Sequence, residues 1–229
     1  MSNNAILIIG GLVVLIILWP AIRRVAKLLF FRTAVRMALK DVGDKALAKQ
    51  VDEVHLVKKD IFSGTQLDDE REALAQPLLS RGFTRVGLFA VPEMPGLDIY
   101  QLVNTDTNVY ANLYWHPRAG KWTEMVSRYE NGVFCSFSTQ MSRGLDHRPG
   151  DVHVNAPGSD PGELYDRMLR ERPQQGDLVQ LVPEEVPRLF EKGYRELTFW
   201  RRNKGISPEE VAKVAVSLKN HPIGKSTGR

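Results

Sequence analysis

Ala5 to Ile22 runs for 18 residues without a charged side chain, and twelve of them are Leu, Ile or Val. As a helix the run is ~27 Å long, close to the ~30 Å hydrocarbon core of a bilayer. Gly10, Gly11 and Pro20 are tolerated in lipid, and Trp19 suits the interfacial aromatic belt. A cleaved signal peptide carries its bases before the apolar run and small residues after it. Here "MSNN" precedes the run without a side-chain charge and "WPAIRRVAK" follows it. The pattern predicts a permanent transmembrane helix rather than a signal peptide or a core helix.

Charge then sets an expected orientation. Residues 1–40 hold six bases and no acid: Arg23, Arg24, Lys27, Arg32, Arg36 and Lys40. All six lie on the C-terminal side of the run, so the positive-inside rule places that side in the cytoplasm and the N-terminus outside the plasma (inner) membrane. Arg32, Arg36 and Lys40 recur every four residues, a stripe that gains ~1 kcal/mol per base beside anionic lipid. Trp19 and these six bases are the expected membrane-surface residues.

The remaining 189 residues carry 25 bases and 27 acids, so the pI of 9.2 belongs to the collar. That balance argues against a nucleic-acid partner. The lone cysteine, Cys135, permits no internal disulfide and fits a reducing compartment. The expected organisation is a tip at 1–4, a span at 5–22, a basic juxtamembrane segment and linker at 23–50, a globular domain at 51–220 and a flexible tail at 221–229.

Residues 41–60 are polar and read as a linker or short helix. "LDDEREALAQPLLS" reads as a helix from about Leu67 to Ser80, with acids in its first turn and Gly82 beyond its end. Pro77 is expected to kink or break it. Five strands follow, at 83–91, 97–103, 109–116, 121–130 and 133–140, separated by turn sequences too short for helical crossovers. Asn131-Gly132 reads as a two-residue type I′ hairpin turn. Residues 141–160 read as a loop with a short strand at "DVHVN". Helices are expected after Ser159 or Asp160, from about 183 to 203, and from Ser207-Pro208-x-Glu210, a capping box with proline in the first turn. Val186, Phe190, Tyr194 and Leu197 form an apolar stripe on the second of these. The fold class is therefore α+β: one N-terminal transmembrane helix, then an antiparallel β-meander packed by several helices.

Treating "PRAG" as a four-residue loop sets Trp115 opposite Trp122, and the two-residue turn sets Arg128 opposite Cys135. Alternation then sorts two faces. Val109, Ala111, Leu113, Trp115, Trp122, Val126, Cys135 and Phe137 make a core face, with Glu124 and Arg128 as misfits. Tyr110, Asn112, Tyr114, His116, Thr123, Met125, Ser127, Tyr129, Phe134, Ser136 and Ser138 make a polar, aromatic face. It reads as a solvated outer face, as a binding face, where rings supply area and hydroxyls supply orientation, or as a buried protein interface. Tyr110, Asn112, Tyr114, His116 and Tyr129 are its candidate ligand-binding residues.

The motifs of nucleotide-binding loops, serine hydrolases and zinc sites are missing from the sequence. Asp146, His147, Asp151 and His153 fall within eight residues, types that bind divalent metals or move protons, but their spacing matches no metal loop. They are weak metal candidates beside the plainer reading of turn-capping aspartates and exposed histidines. Cys135 reads as a small buried hydrophobe, and "FWRRNK" (199–204) as bases favoured by a helix C-terminus. No metal or cofactor is expected. The reading is a membrane-anchored binding or interaction module without a catalytic motif, its partners the lipid bilayer and a protein or small ligand on the sheet face. The alternatives are a membrane-associated enzyme with its site near 146–153 and a scaffold subunit of a membrane complex.

Overall fold

A computed structural model describes residues 30–60, 66–142 and 144–220. The expected span, Trp19, Arg23, Arg24, Lys27 and the tail lie outside these residues. Among the described residues, no helix is long and apolar enough to cross a membrane.

The described residues form an α+β fold, with five helices around a seven-stranded mixed sheet. Helix α1 occupies 30–49. Strand β1 (Val57–Lys59) and α2 (Gln66–Leu79) follow, then β2 (Thr84–Ala90), β3 (Asp98–Asn104), β4 (Val109–His116), β5 (Gly120–Arg128), β6 (Phe134–Ser138) and β7 (Val152–Asn155). Helix α3 (Pro161–Glu171) leads through a 3-10 turn at Pro183–Glu185 into α4 (Val186–Lys204) and α5 (Pro208–Asn220). Strands neighbour one another in chain order, and every pair is antiparallel except β6 with β7. The sequence reading of five antiparallel strands therefore misses β1, an edge strand of three exposed residues, and the parallel sense of β7. Segment 139–151 is long enough to return the chain to the same end of the sheet, as parallel pairing requires.

Each helix boundary has a local cause. Pro77 stays inside α2: it withholds the bond to the Ala73 carbonyl, but it lies in the last turn, so the helix ends two residues later rather than breaking in its middle. Asp160 caps α3, its carboxylate accepting from Gly162 N at 2.8 Å. Ser207 Oγ accepts from Glu210 N at 3.1 Å while Glu210 Oε2 accepts from Ser207 N at 2.9 Å, the reciprocal box read in the sequence. Gly205 ends α4 at φ +77°, a conformation open to glycine.

Helices cover both faces of the sheet. On one, Leu78, Leu102, Leu113, Met125, Phe137, Leu164 and Met168 form the main core with α2 and α3. On the other, α4 and residues 51–56 pack over smaller clusters around Ile99 and Tyr114, and around Tyr110, Val126 and Val186.

Strand register corrects the assignment of faces. Tyr114 pairs with Trp122 and His116 with Gly120, one residue away from the expected pairing. The loop has three residues, and Gly120 pairs at φ +79°. The next turn slips by one as well. Arg128 pairs with Phe134, because Tyr129 N donates to Val133 O across a three-residue loop that ends in Gly132 at φ +82°. A type I′ turn would need positive φ at Asn131 too, and Asn131 does not have it. The two slips cancel for β6 and leave β5 alone inverted. Thr123, Met125 and Ser127 face the main core, while Trp122, Glu124, Val126 and Arg128 share a face with Tyr110 and Tyr114. The two charged misfits disappear with the correct register.

Candidate functional site

A polar row crosses this second face. Gln101, Asn112, Glu124, Ser138 and Asn155 lie directly opposite one another on β3 to β7. Aromatic and aliphatic residues flank the row on both sides: Ile99, Tyr114 and Trp122 on one, Val103, Tyr110 and Val126 on the other. The face is not solvated. Tyr110, Asn112 and Tyr114 are buried, since α4 lies over them.

The cover is held by specific contacts. Arg128 donates to Leu189 O at 3.1 Å and to Glu196 at 2.8 Å, and its guanidinium lies 4.3 Å above the Phe134 ring. A Cβ on Gly193 would stand 3.2 Å from Phe134, so a residue without a side chain lets α4 approach. The α4 stripe turns inward: Val186 is fully buried, Phe190 and Tyr194 pack with Tyr114, and Leu197 lies beyond them.

Between helix and sheet remains a cavity of about 380 Å³. That is within the range of small-molecule sites, which are mostly apolar with a few convergent polar groups. Its apolar wall includes Val54, Val91, Leu97, Tyr114, Trp122 and Phe190, with Tyr114 and Trp122 stacked at 4.5 Å. Its floor is the polar row from Asn112 through Glu124 and Ser138 to Asn155, with Gln101 behind Asn112. Tyr114 donates its hydroxyl to Glu124 at 2.8 Å, and Gln101 donates to Asn112 at 2.9 Å. Burial pushes the Glu124 carboxyl above its ordinary range and carries the Tyr114 phenol well above its own.

The opposite end comes from loop 139–151, β7 and the last turns of α4. His147, Arg148, Asp151, His153 and Arg201 line it. The His147 and His153 rings stack at 4.0 Å, 19° apart. His153 Nδ1 lies 2.7 Å from Ser136 Oγ, while its Nε2 is buried without a hydrogen bond. Burial, then the charges of His153 and Arg201, hold His147 below its ordinary range. The Asp151 carboxyl lies below its ordinary range despite its burial, held there by the neighbouring His153 ring first and then by Arg148 and Phe134 N, from both of which it accepts hydrogen bonds. The Arg201 side chain is partly buried and forms no hydrogen bond or ion pair among the described residues, while its backbone carbonyl accepts from Gly205 N.

Of the five residues read as ligand-binding, Tyr110, Asn112 and Tyr114 line this cavity. His116 instead sits at the β4–β5 turn, where its Nδ1 accepts from Arg118 N and Ala119 N. Tyr129 lies in the opposite core, its hydroxyl donating to Pro173 O. Of the four-residue loop cluster, His147, Asp151 and His153 reach the cavity, whereas Asp146 pairs outside it with Lys204 at 2.8 Å. Among the described residues no group of three His, Cys, Asp or Glu side chains is disposed to hold a metal. Stacked imidazoles cannot both aim a ring nitrogen at one ion. Cys135 is buried in the main core, where burial raises its thiol to about 11. Of the collar, Arg36 reaches across to Glu209 at 2.8 Å, with both side chains exposed.

Three residues escape the sequence reading. Glu124 was hidden by the inverted strand, although its charge on a supposed apolar face marked the error. Arg201 had a sufficient local reason at a helix end. Trp122 was assigned to the core. No protein-family model, curated protein or solved structure matches this chain.

Proposed function

We propose that this protein is a membrane-tethered small-molecule-binding module whose site is the cavity between α4 and the β4–β7 face. The observation that carries the reading is the cavity itself: about 380 Å³, with an aromatic wall and polar groups gathered at its floor and one end. Covered sheet faces normally fill with side chains, so a space of this size beside buried Tyr114 and half-buried Glu124 is a feature to explain. The membrane tether rests on the sequence of residues 5–22, and the cytoplasmic side on the six bases that follow. Exposed Phe30, Phe31 and Met37 on α1 agree with a bilayer close to that helix.

Binding is favoured over catalysis by the Ser136–His153–Asp151 geometry. His153 Nε2 stands 3.9 Å from Asp151, beyond hydrogen-bond reach, and Ser136 is buried, so the trio is not set up as a nucleophile relay.

A thermal-shift screen of the full chain in mild detergent tests the reading, using amphipathic acids, amines and alcohols of cavity size. The proposal expects compounds that raise the melting temperature of the wild type and not of a folded Gly193→Leu variant. No stabilising compound, or equal shifts in both proteins, would overturn it.

A further inference from the structure

The charge left uncompensated in the cavity is positive. Glu124 already accepts from Tyr114 and lies against the Asn112 amide, and burial favours its neutral form. Asp151 is matched by Arg148 and a backbone amide. Glu210, whose field reaches Arg201, is itself held by Lys204, Ser207 N and Asp146 N. Arg201 has no such partner, and a partly buried guanidinium without one bears a desolvation cost that a ligand anion would relieve. Stacked on His147, which feels the Arg201 charge, His153 keeps a buried Nε2 without a hydrogen bond, 3.9 Å from Asp151.

Resting on the binding reading above, we propose that the ligand is an aromatic carboxylate, its carboxylate on Arg201 beside His147 and its flat ring against Trp122 and Phe190. A guanidinium matches a carboxylate through two parallel N–H···O bonds. A single unpartnered arginine suits a monoanion better than a phosphate, which calls for several donors. Tyr114, Trp122, Phe190 and Tyr194 supply ring faces where an aliphatic tail would need only side-chain bulk.

Calorimetry on the full chain in mild detergent with three probes of one shape tests this: 2-naphthoate, 2-naphthylmethanol and 2-naphthylmethylamine. The proposal expects naphthoate to bind tightest. Arg201→Gln should weaken naphthoate by about tenfold or more, as loss of hydrogen bonds to a charged group does, and leave the alcohol unchanged. Arg201→Lys keeps the charge without the fork and should fall between. Equal affinity of acid and alcohol, or naphthoate binding untouched by Arg201→Gln, overturns the carboxylate while leaving the binding site standing. Tightest binding by the amine overturns it in favour of a cation on Glu124. Failure of all three probes overturns both this proposal and the binding site.

Discussion

Tyr114 Oη donates to the Glu124 carboxyl over 2.8 Å, between neighbouring strands and beneath a helix that shields both from bulk water. Burial favours the uncharged acid, so Glu124 supports the fold at pH values below its ordinary 4.5 and costs stability as pH rises through its elevated value. Glu124→Gln keeps a hydrogen-bond acceptor for Tyr114 without a charge. The variant should melt higher than the wild type at pH 8, with the gap closing towards pH 4. Differential scanning calorimetry at the two pH values checks this.

Glu210 behaves in the opposite sense. Three partners hold its carboxylate down to about 2, Lys204 chief among them. Its contribution is complete above pH 4.5 and drains away as pH falls towards 2. Glu210→Ala removes the capping box and the anchor on Asp146 N, and should cost about 0.5–2 kcal/mol at pH 7. Denaturant unfolding at pH 7 and pH 3 should show the cost shrinking at the lower value.

Met125 decides the register. It is fully buried in the main core on the side away from the cavity. Met125→Ala should cost about 2–5 kcal/mol and leave probe binding intact. Trp122→Leu should weaken 2-naphthoate and abolish its quenching of tryptophan emission. The inverted register would exchange these outcomes.

Gly193→Leu sets two effects against each other. Helix propensity favours the change by at most about 1 kcal/mol. The new side chain meets Phe134 and Arg128, and overpacking of this kind costs about 1–3 kcal/mol. The variant should lose stability in urea and lose the cavity ligand as well.

Much of this site was readable in the chain because strand alternation is a strict period of two. Tyr110, Asn112 and Tyr114 share a face whatever the neighbours do. The turns decided the rest. Gly120 takes positive φ just after one three-residue loop and Gly132 at the end of another, and each shifts the next strand by one residue. A shift of one inverts a strand, which is why Glu124 and Trp122 were misplaced while Ser136 and Phe137 were not. The short edge strand β1 has no alternation to read, since all three residues are exposed. Asp146, His147, Asp151 and His153 read as one loop cluster from the sequence. Only the parallel β7 brings His147 and His153 onto the sheet face, and only the docking of α4 brings Arg201 to them.

The proposed function places small-molecule binding in the cavity between α4 and the sheet rather than on the exposed apolar surface. Photolabelling of the full chain with a carboxylated aryl diazirine, followed by peptide mapping, measures this directly. The account predicts about one adduct per chain, on peptides carrying Trp122, residues 147–153 or Leu197–Arg201, suppressed by excess 2-naphthoate. Adducts confined to exposed Phe30, Phe31, Phe199 and Val216, insensitive to 2-naphthoate, would contradict it.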